Sequence, residues 1–131
     1  MRMQELDRSE CLELLGSRTV GRVALSAADG LTILPVNHVV HDGTVVFRTL
    51  PYGVIAMTAP DAEVAFEVDD LDEETRSGWS VVATGTCRRV EDPGQVQAVR
   101  REGEPEPWAE GQRTLYLRID DPTLTGRRLL P

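Results

Sequence analysis

The sequence predicts a small, mainly β domain closed into a barrel, and three observations predict it. Asp29-Gly30 and Asp42-Gly43 stand between β-branched runs, the strongest short-range hairpin signal in the chain. Six or seven short stretches read as strands, several with apolar and polar residues in alternation. Two or three short helical stretches are all that interrupt them, a balance that fits a barrel. The 131 residues read as one domain, 1–131, without repeat, low-complexity tract or linker.

The elements follow in order. Met1 to Leu6 enters an acidic helix pattern, in which Asp7 is the N-cap and Glu10 its capping-box partner. Leu6 and Cys11 sit where a hydrophobic staple closes, and Gly16 ends the helix. Thr19 to Ser26, Leu31 to Val40 and Thr44 to Arg48 are strands joined by the two Asp-Gly turns. Pro35 marks an edge, bulge or bend in the second of them. Tyr52 to Thr58 has room for only a short helix, which Ala59-Pro60 closes. In Ala62 to Val68, Val64, Phe66 and Val68 alternate with acidic residues, so a half-buried strand is expected. Asp69 to Glu74 reads as a solvated loop, and Trp79 to Val90 as a long strand. Asp92-Pro93-Gly94-Gln95 places a cap and an N1 proline, so a helix to about Arg101 follows. Gly103 to Gly111 is a Pro/Glu loop carrying Trp108, Arg113 to Ile119 is a last strand, and Thr125-Gly126-Arg127-Arg128 caps an anionic pocket or forms a solvated tail.

Composition excludes whole classes of function. All 14 cationic side chains are arginine, so no lysine is present to form a Schiff base or hold a nucleotide phosphate in a P-loop. Against 22 acidic residues they leave a net charge of −8, which repels nucleic acid. No apolar run approaches the ~20 residues of a membrane helix. The first residues lack a signal-peptide apolar region, so a cytoplasmic location without membrane partners is expected. Cys11 and Cys87 lack CxxC spacing and read as reduced, buried hydrophobes. His38 and His41 lie three apart on a strand and point to opposite faces, so surface or interface roles are favoured and no metal site is expected. The acidic run lacks the spacing of a calcium loop.

No nucleophile motif or catalytic triad is present, which moves attention to the arginines. Arg48 ends a strand at Phe47-Arg48-Thr49, just before Tyr52-Gly53 opens a short helix. That juxtaposition is either a phosphate cradle or an arginine paired with one of many carboxylates. Ser77-Gly78-Trp79-Ser80 offers either a flat apolar wall for a ring or a core Trp at a strand start.

At these residues the sequence resembles the flavin-binding split-barrel proteins related to pyridoxamine 5′-phosphate oxidase, in the short branch widespread in actinobacteria. The markers run in order from about Leu12 to Leu129: Val20-Gly21-Arg22-Val23-Ala24, Pro35-Val36-Asn37, Val46-Phe47-Arg48-Thr49, Val64-Ala65-Phe66-Glu67-Val68-Asp69, Gly78-Trp79-Ser80-Val81, Pro107-Trp108 and Thr125-Gly126-Arg127-Arg128-Leu129. The resemblance implies a six-stranded FMN-binding split barrel and a homodimer with cofactor sites at the subunit interface. It places Pro35, Val36, Asn37 and His38 along the isoalloxazine, and Phe47, Arg48 and Thr49 at the phosphate and ring end. Gly53, Val54 and Ile55 would offer backbone donors, while Ser77, Gly78, Trp79, Ser80 and Trp108 would come from the neighbouring subunit or the rim.

One departure stands out. Relatives commonly carry Gly-Ser-Lys or Ser-x-Lys after the Arg-Thr strand, where Ser and Lys bind the phosphate. Here the segment is Leu50-Pro51-Tyr52-Gly53-Val54-Ile55, with Val54 in the lysine's place. A lost charge-assisted contact costs about 1.5–3 kcal/mol, or roughly ten- to hundredfold in affinity. The expected function is hydride or electron transfer to an unidentified small molecule, with the flavin carrying the chemistry. A deazaflavin-dependent reductase is a second reading, against which the acidic balance and missing lysine count. A cofactor-depleted dimeric binding or regulatory module is a third, favoured by Val54 and Tyr52.

Overall fold

The computed structural model describes residues 2–102 and 115–131. Its elements are β1 (Arg2–Glu5), α1 (Arg8–Gly16), β2 (Val20–Ala27), β3 (Gly30–His41), β4 (Thr44–Thr49), α2 (Val54–Thr58), β5 (Glu63–Asp72), β6 (Ser77–Arg89), α3 (Pro93–Glu102), β7 (Leu115–Ile119) and β8 (Thr123–Leu130). The strands join one antiparallel sheet in the order β1-β8-β6-β5-β2-β3-β4-β7, and β6 also pairs with β7. That last pairing closes β2 to β7 into a six-stranded barrel. The 13-residue β6 makes the closure possible by dividing its free edge. Gly78–Thr84 takes β8, and Cys87–Arg89 takes β7.

Alternation along the strands builds the core. Val23 and Leu25, Val36 and His38, Val45 and Phe47, Val64, Phe66 and Val68, Val81 and Ala83, Leu117 and Ile119 all turn inward and are buried. Phe66 lies at the centre, stacked on Phe47 at 6.2 Å and edge-on to His38 at 4.8 Å. Gly21 makes room for it, because a Cβ there would stand 2.2 Å from Phe66 Cζ. α1 closes one end of the barrel through buried Cys11 and Leu15. Its capping box is formed, with Asp7 Oδ1 accepting from the Glu10 amide at 2.8 Å and Glu10 Oε1 accepting from the Asp7 amide at 3.3 Å. A smaller outer core of Val46, Val90, Val99 and Tyr116 seats α3 against β4 and β7. Both cysteines are free and buried, and no helix among the described residues is long and apolar enough to cross a membrane.

Three segments differ from the sequence reading. Arg2–Glu5 is a strand and not a helix lead, since it completes the sheet edge against Arg127–Leu130. Those C-terminal residues are β8 and not a tail, because β6 leaves an edge open to them. Asp69–Asp72 is strand rather than loop, paired with Ser77–Ser80. The acidic residues are accommodated there because Asp70 meets Arg18, whose guanidinium also stands 5.8 Å from the Trp79 ring.

Candidate functional site

β3 and β4 pair only where Asn37–His41 faces Thr44–Arg48. Beyond Asn37 they part, and the chain leaving β4 swings through Leu50–Gly53 into α2. A cleft of about 380 Å³ fills the fork. Pro35, Val36 and Asn37 line it from β3, Arg48 and Thr49 from β4, and Gly53, Val54 and Ile55 from α2 and the residue before it. The structure therefore brings eight of the sequence-selected residues to one cavity. Val20, Leu34 and Leu50 also line it. None of these three was among the selected site residues, although Val20 opens one of the family markers and is the cross-strand partner of Asn37.

Among the described residues Arg48 is the cation that lines the cleft. Its guanidinium lies 5.1 Å from the Tyr116 ring, on the barrel's outer surface opposite Asn37 in register. Gly53 has φ +157° and stands as the N-cap of α2, which has no side-chain capping hydrogen bond. α2 is only five residues long, so the polar groups of the cleft come mainly from the ends of β3 and β4. Tyr52 lines the mouth while 71% exposed.

The other selected residues lie elsewhere. The His38 and Phe47 side chains face the barrel interior and do not line the cleft. His38 Nε2–H donates to the Leu15 carbonyl at 2.8 Å, and buried Nδ1 has no hydrogen-bond partner. Burial pushes the His38 pKa below the usual histidine range, against the opposing pull of the Leu15 and Thr19 backbone carbonyls. His41 turns outward and lines a separate cavity of about 170 Å³ with Thr44, Arg118 and Asp120. No cluster of three or more His, Cys, Asp or Glu among the described residues is placed to hold a metal.

Ser77, Gly78, Trp79 and Ser80 open β6, across the sheet from the cleft. Gly78 has φ +146°, and a Cβ there would stand 2.1 Å from the Asp70 carbonyl oxygen. Close approach of β5 therefore demands this glycine locally. Trp79 packs against the core. Trp108 lies outside the described residues. The outer face between the two groups carries Arg22 from β2 with Glu67 and Asp69 from β5, at 3.5 and 3.8 Å. Burial first, then hydrogen bonding and repulsion from Asp69, push the Glu67 pKa up to about 7.

The profile of the family described as pyridoxamine 5′-phosphate oxidase matches residues 7–128. An uncharacterized protein of Mycobacterium tuberculosis, Rv0080, is 40% identical over 131 residues, covering 96% of this chain and 85% of the relative. Among solved structures, the chain is similar to the FAD binding protein from Mycobacterium smegmatis. That protein is 34% identical with TM-score 0.81, the match covering 95% of this chain and 98% of that one. A conserved protein of unknown function from Corynebacterium diphtheriae is 32% identical with TM-score 0.80, and 98% of each chain is covered.

Proposed function

The chain belongs to the pyridoxamine 5′-phosphate oxidase family, and from that premise we propose that it is a flavin-dependent oxidoreductase-like protein working as a homodimer. The observation that carries the reading is the single cleft uniting Pro35–Asn37, Arg48–Thr49 and Gly53–Ile55. Its 380 Å³ lies within the size range of cofactor pockets, and its lining is mostly apolar with a few convergent polar groups. These residues fit a flavin nucleotide. Pro35, Val36 and Leu34 offer apolar contact to a flat ring, and Arg48 and Thr49 offer donors to a phosphate. The FAD binding relative from Mycobacterium smegmatis supports the same cofactor class.

A bound flavin would supply hydride or electron transfer, and the chain would bind, orient and shield it. Arg48 suits a positioning role because its guanidinium lies over the Tyr116 ring, 5.1 Å from the centroid. The apolar β3 wall of Leu34, Pro35 and Val36 would exclude water from one side of a bound ring. A homodimer is supported by the outer sheet face, where Leu31 and Ile33 are 88% and 68% exposed. By strand register that face also carries Gly78 and Ser80, which the resemblance assigns to a neighbouring subunit or the rim. Val54 and the exposed Tyr52 favour a second reading, a dimeric barrel without cofactor that serves as a binding module.

An absorbance spectrum of the purified protein, followed by flavin titration, separates the two. Micromolar or better affinity is expected, and no binding at high micromolar flavin refutes the first reading. Arg48→Ala should weaken binding by about tenfold or more, the worth of a charge-assisted contact. Arg88→Ala, which removes a surface ion pair with Asp61, should not. Sedimentation velocity tests the dimer.

A further inference from the structure

The outer face of the sheet gathers charges between two patches of exposed apolar side chains. Arg22 of β2 is in register with Glu67 of β5, and its guanidinium stands 3.5 Å from Glu67 and 3.8 Å from Asp69. Glu67 and Asp69 are two residues apart on β5 and share this face. To one side, an open groove of about 400 Å³ runs past Ala24, Leu31, Ile33 and Ala65. To the other side lies Leu71, in register with Gly78 and 63% exposed. β6 turns Ser80, Val82 and Thr84 to the cluster, and β3 places Pro35 beside Arg22. Glu63 lies further along β5, and Arg127 of β8 lies one strand beyond Asp69, past Ser80. The cluster itself holds two carboxylates against one guanidinium.

We propose that a second copy of this chain docks on this face and that docking takes up a proton on the Glu67–Asp69 pair, so that self-association is switched by pH. The proposal rests on the reading of the protein as a homodimer. A two-fold pairing sets a surface patch against itself, and a patch with both signs of charge between apolar flanks suits that arrangement. A partner of one charge sign meets repulsion from part of the cluster. Covering the cluster removes the water around it. Arg22 balances one carboxylate, and the second becomes a buried charge without a counter-charge, a state relieved by protonation. The uncovered chain already leans that way. Burial, then hydrogen bonding and repulsion from Asp69, outweigh Arg22 and push the Glu67 pKa up to about 7. Each copy also has a net charge of −8, a general repulsion that one proton gained per copy lowers.

The test is sedimentation velocity of the full chain over a dilution series at pH 6, 7 and 8. The dimer dissociation constant is expected to rise by roughly ten- to hundredfold from pH 6 to 8, because each copy holds a proton in the dimer that the separate chain loses. Glu67→Gln should tighten the dimer at pH 8 and remove most of that dependence. It keeps His38 and His41, so the change isolates the carboxyl. Asp69→Asn should act in the same direction, and Arg22→Gln should weaken the dimer more at pH 8 than at pH 6. Circular dichroism at each pH checks that the variants are folded. Ile33→Glu, a change at a 68% exposed position, should abolish association at every pH. Equal constants at pH 6 and 8, a dimer that resists dilution at both, or an unchanged pH dependence in Glu67→Gln and Asp69→Asn overturns the proton uptake and leaves the homodimer standing. A dimer insensitive to Ile33→Glu forms elsewhere and overturns the docking face. A chain that is monomeric at all three pH values refutes the homodimer reading, and the proposal with it.

Discussion

Gly21→Ala adds one methyl group to the most crowded point of the barrel. Its Cβ would stand 2.2 Å from Phe66 Cζ and 2.8 Å from both Cε atoms. Carbon contacts are comfortable at about 3.5–4.0 Å, so roughly 1.5 Å must be found. Phe66 cannot supply it cheaply, being fully buried between Phe47 and the edge of His38. Restricting the unfolded chain favours alanine by about 0.4–1 kcal/mol. Overpacking costs about 1–3 kcal/mol and decides the sign. A net loss of about 1–2 kcal/mol is expected, which for a chain of this length lowers Tm by about 4–7 °C. Urea denaturation should show a lower midpoint with unchanged slope. Phe66→Leu vacates the space the methyl needs, so the double variant should be more stable than the two single losses summed, by about 1 kcal/mol or more. A Gly21→Ala protein as stable as the parent, or strictly additive losses, would refute the packing account.

Acid should weaken the fold through His38. Its folded pKa lies below the ordinary value, so the contribution is complete above about pH 6.5 and is lost as pH falls below it. Glu67 acts in the opposite sense, because its raised value makes the folded chain gain stability as pH falls from about 7 towards the ordinary carboxylate range. Urea midpoints of the parent, His38→Gln and Glu67→Gln chains across that range should therefore diverge in opposite directions. Parallel curves would contradict both assignments. Cys87, pushed by burial up to about 12, and buried Cys11 should resist a thiol reagent in the folded chain, both reacting once urea is added. Val54→Lys should raise FMN affinity by roughly ten- to hundredfold, measured by the same titration, if the cleft end beside Arg48 is the phosphate end.

Local chemistry made much of this architecture legible before any coordinates. The capping box at Asp7 and Glu10, the two Asp-Gly hairpins and the alternation through Val64, Phe66 and Val68 each act within a few residues, and each stands where the chain reads it. What was hidden depends on partners distant in sequence. Arg2–Glu5 becomes a strand only because β8 offers an edge, and β8 is a strand only because β6 outruns β7. β3 conceals its faces because Leu31 and Ile33 point out while Leu34 and Val36 point in, so apolar residues fall on both sides. That is why the strand pattern could not place His38 inside the barrel. Pro35–Asn37, Arg48–Thr49 and Gly53–Ile55 were selected through the family resemblance, whereas Val20 joins them in the cleft only through its register with Asn37.

The fork between β3 and β4 has one more consequence. Along Gly30–Val36, β3 is paired with β2 on one side, and no strand among the described residues pairs with the other. Where that edge borders the cleft, at Leu34–Val36, the donor position facing away from β2 falls on Pro35, which has no N–H and leaves its carbonyl as an acceptor. A planar heterocycle lying there would take the seat of an absent ninth strand and be read by main chain as much as by side chains. Such a seat imposes hydrogen-bonding order without fixing residue identity. Occupancy of that edge should therefore register as slowed exchange of the Ile33 amide, which faces away from β2, while the Leu34 and Val36 amides, directed at β2, stay unchanged.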